Sequence, residues 1–142
     1  MNIDVYSDGS GNTFDSDGGY GFRVVIDGVV TYDGSGYLPK ATNNVAELMG
    51  AIKGLEKCKE HIASSNVVGA TITLISDSML VLGYASGKYS CKALHLTQLY
   101  IQLRQLYNEL KAGQRWVKGH SGDEHNEACD KLAESGRESK VV

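Results

Sequence analysis

The chain has 142 residues, 42% of them hydrophobic and 22% charged, with a single Pro; this is the size and make-up of one folded domain with a core, not of a disordered tail. Its formal net charge of -3, taken alone, argues against a polyanionic partner. The average hides a split, because from Ser78 to Lys118 six basic residues (Lys88, Lys92, Arg104, Lys111, Arg115, Lys118) stand against the single acid Glu109, while the remainder is strongly acidic.

Residues 2 to 8 alternate Ile3, Val5, Ser7 with Asp4, Tyr6, Asp8 and run into Gly9-Ser10-Gly11, a period of two that predicts a strand ending in a turn. Residues 18 to 26 and 29 to 38 read as two more strands joined by Asp27-Gly28, a dipeptide that supplies the positive φ angles of a tight hairpin. Thr42-Asn43-Asn44 opens a helix with Val45, Leu48, Met49, Ile52 and Leu55 on one stripe. Residues 70 to 77 form a fourth strand with Asp77 at its end, followed by a short helix from about Ser78. A longer helix follows, with Leu96, Leu99, Leu103, Leu106 and Leu110 spaced by three and four, and Gly113 is expected to close it. Gln114 to Lys118 is a fifth strand, and Ser121-Gly122-Asp123-Glu124 reads as a capping box for a last helix running to Gly136. The order βββαβααβα predicts an α/β fold with a five-stranded mixed sheet: an antiparallel part built by hairpins, then parallel strands joined by helical crossovers.

Ligands of open α/β sheets bind beyond the carboxyl ends of the strands, and Asp8 and Asp77 are both placed there. Each taken singly also reads as a turn residue bonding its own backbone. Glu47 fits a capping box with Asn44; against that, it shares a helix row with Gly50, Ala51 and Gly54, a strip of small residues that lets this face approach another backbone and directs Glu47 towards the sheet. Asp130 follows Asn126 by one helical turn and alone reads as a surface acid. His120, in Gly119-His120-Ser121-Gly122, suits proton transfer near neutral pH, and equally suits a plain surface position. His120, His125 and Cys129 lie within ten residues, but a structural zinc site lacks a suitably spaced fourth ligand. Cys58, Cys91 and Cys129 form no CxxC pair, which fits a reducing cytoplasm. No basic run precedes an apolar core at the N-terminus and no window nears the ~20 apolar residues of a membrane span, so a soluble, cytoplasmic chain is expected.

Asp8 in YSDGSG, Glu47 in TNNVAELMGAI, Asp77 in ISDSMLV and Asp130 in WVKGHSGDEHNEACDKLA resemble, in order and context, the motifs of the type 1 ribonuclease H family, and the likeness spans the chain from Asp4 to about Ala133. The resemblance implies a ribonuclease H-like fold, with helices on both faces of the sheet, over a single catalytic domain of residues 1 to 142. It further implies hydrolysis of the RNA strand of an RNA/DNA hybrid by two Mg2+ ions, with Mn2+ as a substitute, leaving a 5′-phosphate and a 3′-hydroxyl. By that likeness Asp8 bridges both metals, Asp130 helps hold the one that activates water, and Glu47 and Asp77 hold the one facing the leaving oxygen. His120 would assist proton movement, Asn43, Asn44, Ser10 and Asn12 would contact the hybrid, and Thr42 would touch a phosphate. The chain departs from members that insert a basic helix before the long central one, since GYASGKYSCKALHL passes straight through; Lys88 and Lys92 are the expected grip on the DNA strand. No membrane and no obligatory protein partner are expected, and the chain should act as a monomer. Two alternatives stay open: another nuclease of the same fold, such as a proofreading exonuclease or junction resolvase, or a catalytically silent hybrid-binding module.

Overall fold

The computed structural model describes residues 1–11 and 16–139. In chain order they form β1 (Asn2–Ser10), β2 (Gly18–Ile26), β3 (Val29–Leu38), α1 (Asn43–Ser65), β4 (Thr71–Ser76), α2 (Met79–Ser86), a 3-10 turn (Leu94–Leu96), α3 (Thr97–Glu109), β5 (Gly113–Trp116) and α4 (Glu124–Glu138). The sheet runs β3-β2-β1-β4-β5. β1, β2 and β3 pair antiparallel, whereas β4 is parallel to both β1 and β5, which is the mixed sheet that the element order predicts.

Alternation along β1 sends side chains to two cores. Ile3 and Val5 join Leu48, Ile52 and Leu55 of α1 and Leu103 of α3, while Tyr6 joins Val25, Ile75, Val117 and Cys129 on the opposite side, under α4. Helices α1 to α3 thus cover one face and α4 the other. The β2–β3 turn uses Asp27 (φ 48°) and Gly28 (φ 81°), the two successive positive angles of a two-residue hairpin. The strip of small residues on α1 works as the spacing implies: a Cβ on Gly50 would stand 2.6 Å from the Asp8 carbonyl oxygen, and one on Gly54 2.7 Å from Val5 Cγ1. On the other face Gly21 has the same effect, since a Cβ there would stand 2.7 Å from Ala133 N.

Strand ends shift by one or two residues, β5 spanning Gly113–Trp116 where Gln114 to Lys118 is expected, and the helix ends differ more tellingly. Thr42 caps α1, its Oγ1 accepting from Val45 N–H at 3.3 Å; Asn44 is inside the helix, so Asn44-x-x-Glu47 is no capping box. After α3 the left-handed residue is Lys111 (φ 51°) and not Gly113, which begins β5. The turn falls there because Leu110 and Ala112, on either side of Lys111, both pack against the core. The cap of α4 is Asp123, accepting from Asn126 N–H at 2.9 Å, while the Ser121 hydroxyl donates to the Lys118 carbonyl at 2.6 Å in the preceding loop. Gly136 does not end α4; it stays helical against the backbone of Gly36. The three cysteines are free, and among the described residues no helix is long and apolar enough to cross a membrane.

Gly50→Ala is expected to lower stability by about 1–3 kcal/mol, the usual cost of forcing a methyl group into a packed seam. Urea denaturation of the purified variant checks this; an unchanged midpoint would mean that α1 can retreat from β1 without loss.

Candidate active site

The last residue pair of the β1–β4 ladder is Tyr6 with Ile75. Asp8 and Asp77 each lie two residues further on, so parallel pairing brings them to the same height at the carboxyl edge of the sheet. Glu47 arrives from α1, whose backbone lies directly over Gly9. Asp130 arrives from α4 on the opposite face. With Gly9, Ser10, Gly11, Asn43 and His120, these four carboxylates line one cleft of about 310 Å³.

Their electrostatics follow from crowding. The Asp8 carboxyl is pushed from 3.8 up to about 8, first by burial and then by Asp77, with Asp130 and Glu47 adding to it; only the Gly9 N–H, 2.8 Å from Oδ1, pulls the other way. Glu47 is raised by burial and by Asp77, against hydrogen bonds from the Ser78 hydroxyl and the Asn43 amide. Asp77 is raised by burial and by Asp130, against an Asn126 hydrogen bond and His120. Negative charge here is under-compensated, and the donors are hard oxygens without a thiolate, the set that suits Mg2+ or Mn2+. Among the described residues no three His, Cys, Asp or Glu side chains are grouped as ligands of one ion. The fit to a divalent cation therefore lies in donor chemistry and charge.

The turn reading of Asp8 and its place in the cleft coexist, since Oδ1 accepts from the next N–H. Ser10 lines both the cleft and an adjoining polar pocket with Ser16, Asp17, Glu134, Arg137 and Glu138. Asn43 is in the cleft and donates its amide to Glu47. Thr42 and Asn44 are not among the lining residues; Thr42 serves as the helix cap and Asn44 is exposed. Lys88 and Lys92 are exposed and lie outside the cleft, beyond the far end of α2, whose eight residues carry the chain ~12 Å from Asp77. Asn12 lies outside the described residues. His120 takes a left-handed φ of 55°, and the preceding Gly119 sits so near Asp77 that a Cβ would stand 3.0 Å from Oδ2. The zinc alternative has no support: His125 Nδ1 meets Arg23 Nη1 at 3.3 Å and its ring lies 4.9 Å from Tyr6, while the fully buried Cys129 thiol is pushed far up by desolvation.

Two residues that touch the carboxylates carry no role in the sequence reading, Ser78 on Glu47 and the buried Asn126 on Asp77. The available signal for Asn126 was its place one turn before Asp130, on the face that α4 presents to the sheet.

The ribonuclease H family model matches residues 1–138. The chain belongs to the ribonuclease H family. A ribonuclease H of Prosthecochloris aestuarii is 32% identical over 143 residues, covering 92% of this chain and 92% of the relative. The N-terminal ribonuclease H domain of a Mycobacterium tuberculosis protein superposes with a TM-score of 0.82 at 27% identity, over 97% of this chain and 94% of that one. A ribonuclease H1 isolated from compost, solved in complex with an RNA/DNA hybrid, shares the fold with a TM-score of 0.81 at 22% identity, over 96% of each chain. As a ribonuclease H this chain is an enzyme, a nuclease of the hydrolase class.

Because Asp8 holds its proton more tightly folded than unfolded, the folded metal-free protein binds more protons between about pH 4 and 8. Its stability should therefore fall as pH rises through that window. Asp8→Asn is expected to flatten this dependence and to raise the metal-free melting temperature at pH 8, read by calorimetry in the presence of a chelator. A parallel pH dependence in the variant would contradict the burial and repulsion assigned to Asp8.

Proposed function

We propose that this ribonuclease H hydrolyses the RNA strand of RNA/DNA hybrids with divalent ions held by Asp8, Glu47, Asp77 and Asp130, Mg2+ first and Mn2+ as substitute. The observation that carries this reading is the convergence of four carboxylates from β1, α1, β4 and α4 on one under-compensated cleft. When bound, two such ions stabilise the attacking and departing oxygens of an in-line displacement, the chemistry that leaves a 5′-phosphate and a 3′-hydroxyl. Asp8, which meets the charges of Asp77, Asp130 and Glu47 alike, would be shared by both ions; Asp130 would help hold the ion that activates water, and Glu47 with Asp77 the ion facing the leaving oxygen. Ser78 and Asn43 orient the Glu47 carboxylate and Asn126 orients that of Asp77. His120, exposed on its loop beside Asp77, moves a proton between the reacting groups and water. Asn43 and Asn44 at the start of α1, with Ser10 at the end of β1 and Asn12, select RNA through its 2′-hydroxyls. Thr42 touches a phosphate and Lys88 with Lys92 hold the DNA strand. The chain acts as a single catalytic domain and a monomer, without an obligatory partner, in the cytoplasm. A proofreading exonuclease would carry an acid where Ser10 stands, and a silent module would lack a carboxylate in the cleft; neither departure is present.

Fluorescent hybrid incubated with Mg2+ beside duplex DNA, duplex RNA and single-stranded RNA tests the reading. Cleavage is expected in the RNA strand of the hybrid alone, abolished by chelator. Asp8→Asn should remove it while the fold stays intact, and Asp8→Asn activity within about threefold of the parent would sink the bridging assignment. His120→Ala should lose roughly 10 to 100-fold in turnover, since water replaces a proton carrier only in part. Replacing Lys88 and Lys92 together by Ala should flatten the slope of log K against log salt by roughly 1.4 to 1.8, and an unchanged slope moves the DNA grip elsewhere.

A further inference from the structure

Trp116 is the only tryptophan of the chain. It ends β5 at the edge of the sheet with 51% of its surface exposed. Burial alone does little to order a half-exposed indole. What holds it is a hydrogen bond, the Nε1–H donating to the main-chain carbonyl of Asp77 at 3.1 Å. Trp116 pairs in register with Ser76, so its side chain reaches one residue past the ladder, over the point where β4 ends and α2 begins.

The carbonyl it grips belongs to the peptide joining Asp77 to Ser78. The other polar atom of that peptide, the Ser78 N–H, donates to Ser76 Oγ at 3.0 Å. Both handles of one peptide plane are therefore held, one locally and one from another strand. On one side the plane carries the Asp77 side chain. On the other it carries Ser78, whose Oγ accepts from Val81 N–H at 3.2 Å to cap α2 and whose hydroxyl bonds Glu47. A rotation of this plane would move two cleft carboxylates together, Asp77 directly and Glu47 through Ser78.

We propose that Trp116 is a positioning residue that pins the Asp77–Ser78 peptide and so sets the Asp77 and Glu47 half of the cleft for a divalent cation. This rests on the cleft being a cation site. Trp116 touches neither the cleft nor the substrate in this role; it narrows the range of orientations the two carboxylates sample before the ion arrives. The carbonyl lies at the exposed sheet edge, where water can replace the lost donor, so removing the N–H should cost cation affinity and little stability.

Because Trp116 is unique, biosynthetic incorporation of benzothienylalanine replaces its N–H by sulfur and keeps the ring shape; Trp116→Phe is the encoded counterpart and 5-fluorotryptophan, which retains the N–H, the control. Mg2+ titrations of the hybrid-free protein, followed through the backbone amide signals of Gly9, Ser78 and Gly119, should show Mg2+ binding roughly 3 to 10-fold weaker in the first two proteins and unchanged in the control, on the scale of one net hydrogen bond. In hybrid cleavage the half-saturating Mg2+ concentration should rise by the same factor, with KM for hybrid unchanged and turnover at saturating Mg2+ within about twofold. A merely structural role would shift the melting temperature and leave the Mg2+ dependence alone. Unaltered Mg2+ affinity in the benzothienylalanine protein overturns the positioning role while the cation site stands. Absence of any Mg2+ response in the unmodified protein overturns the cation reading of the cleft and this inference with it.

Discussion

Four carboxylates share one cleft and Asp8 is largely withdrawn from water, so each negative charge there costs more than it would on the surface. Uncharged contacts must then decide where the backbone goes, because the charges themselves push apart. Parallel pairing of β1 with β4 fixes Asp8 and Asp77 at one height. Gly50, lying on the Asp8 carbonyl, brings α1 and with it Glu47 over the strand, and Gly21 lets α4 lie on β2 so that Asp130 closes the other side. A side chain at any of these close approaches would lift a helix and open the cleft. The repulsion is thus held in check by packing, and a cation is the species that would relieve it.

The same physical logic separates what the sequence makes legible from what it does not. Period-two alternation in Ile3, Val5, Ser7 against Asp4, Tyr6, Asp8, the Asp27-Gly28 turn and the three-four spacing of the leucines are local signals, and the strands and helices they predict are present. The Gly50-Ala51-Gly54 strip told correctly which face of α1 meets the sheet. Caps were less legible because Thr42, Asn43 and Asn44 are all cap-forming residues in a row. The choice among them falls to burial, since Ala41 and Ala46 must both be inside. At the carboxyl end of α3 a left-handed Lys111 was hidden for the same reason, the core's claim on Leu110 and Ala112. In the site, the carboxylates were visible as motif residues, whereas of the groups orienting them only Asn43 was singled out, and that as a hybrid contact, not as the partner of Glu47. Ser78 on Glu47 and Trp116 on the Asp77 carbonyl join segments distant in sequence, and no period or spacing encodes such a meeting; for Asn126 on Asp77 the spacing to Asp130 shows the shared helix face but not the partner across it.

The basic stretch from Ser78 to Lys118 also looks different once folded. Arg115 Nη2 donates to the Tyr6 hydroxyl at 3.1 Å, and the Arg104 guanidinium lies against the backbone of Gly87, so both serve the fold. Lys88, Lys92, Lys111 and Lys118 remain exposed. Counting charges along the chain therefore overstates the cationic surface free for a nucleic acid, since Arg104 and Arg115 are engaged within the fold.

Net acidity and a polyanionic substrate are reconciled only if the cleft changes sign before the scissile phosphate enters it. Without cations, the carboxylates around Asp8 repel phosphate as they repel one another; with the two divalent ions proposed above, the same cleft would gain about four positive charges and attract it. Metal and hybrid must then promote each other's binding, and by linkage the coupling is equal in both directions. On the proposed reading, Lys88 and Lys92, exposed and outside the cleft, would contribute an attraction that does not depend on the ions. Under that reading the hybrid would be held along its DNA strand first and committed to the cleft only when metal is present, so that metal would control both entry of the phosphate and the chemistry that follows.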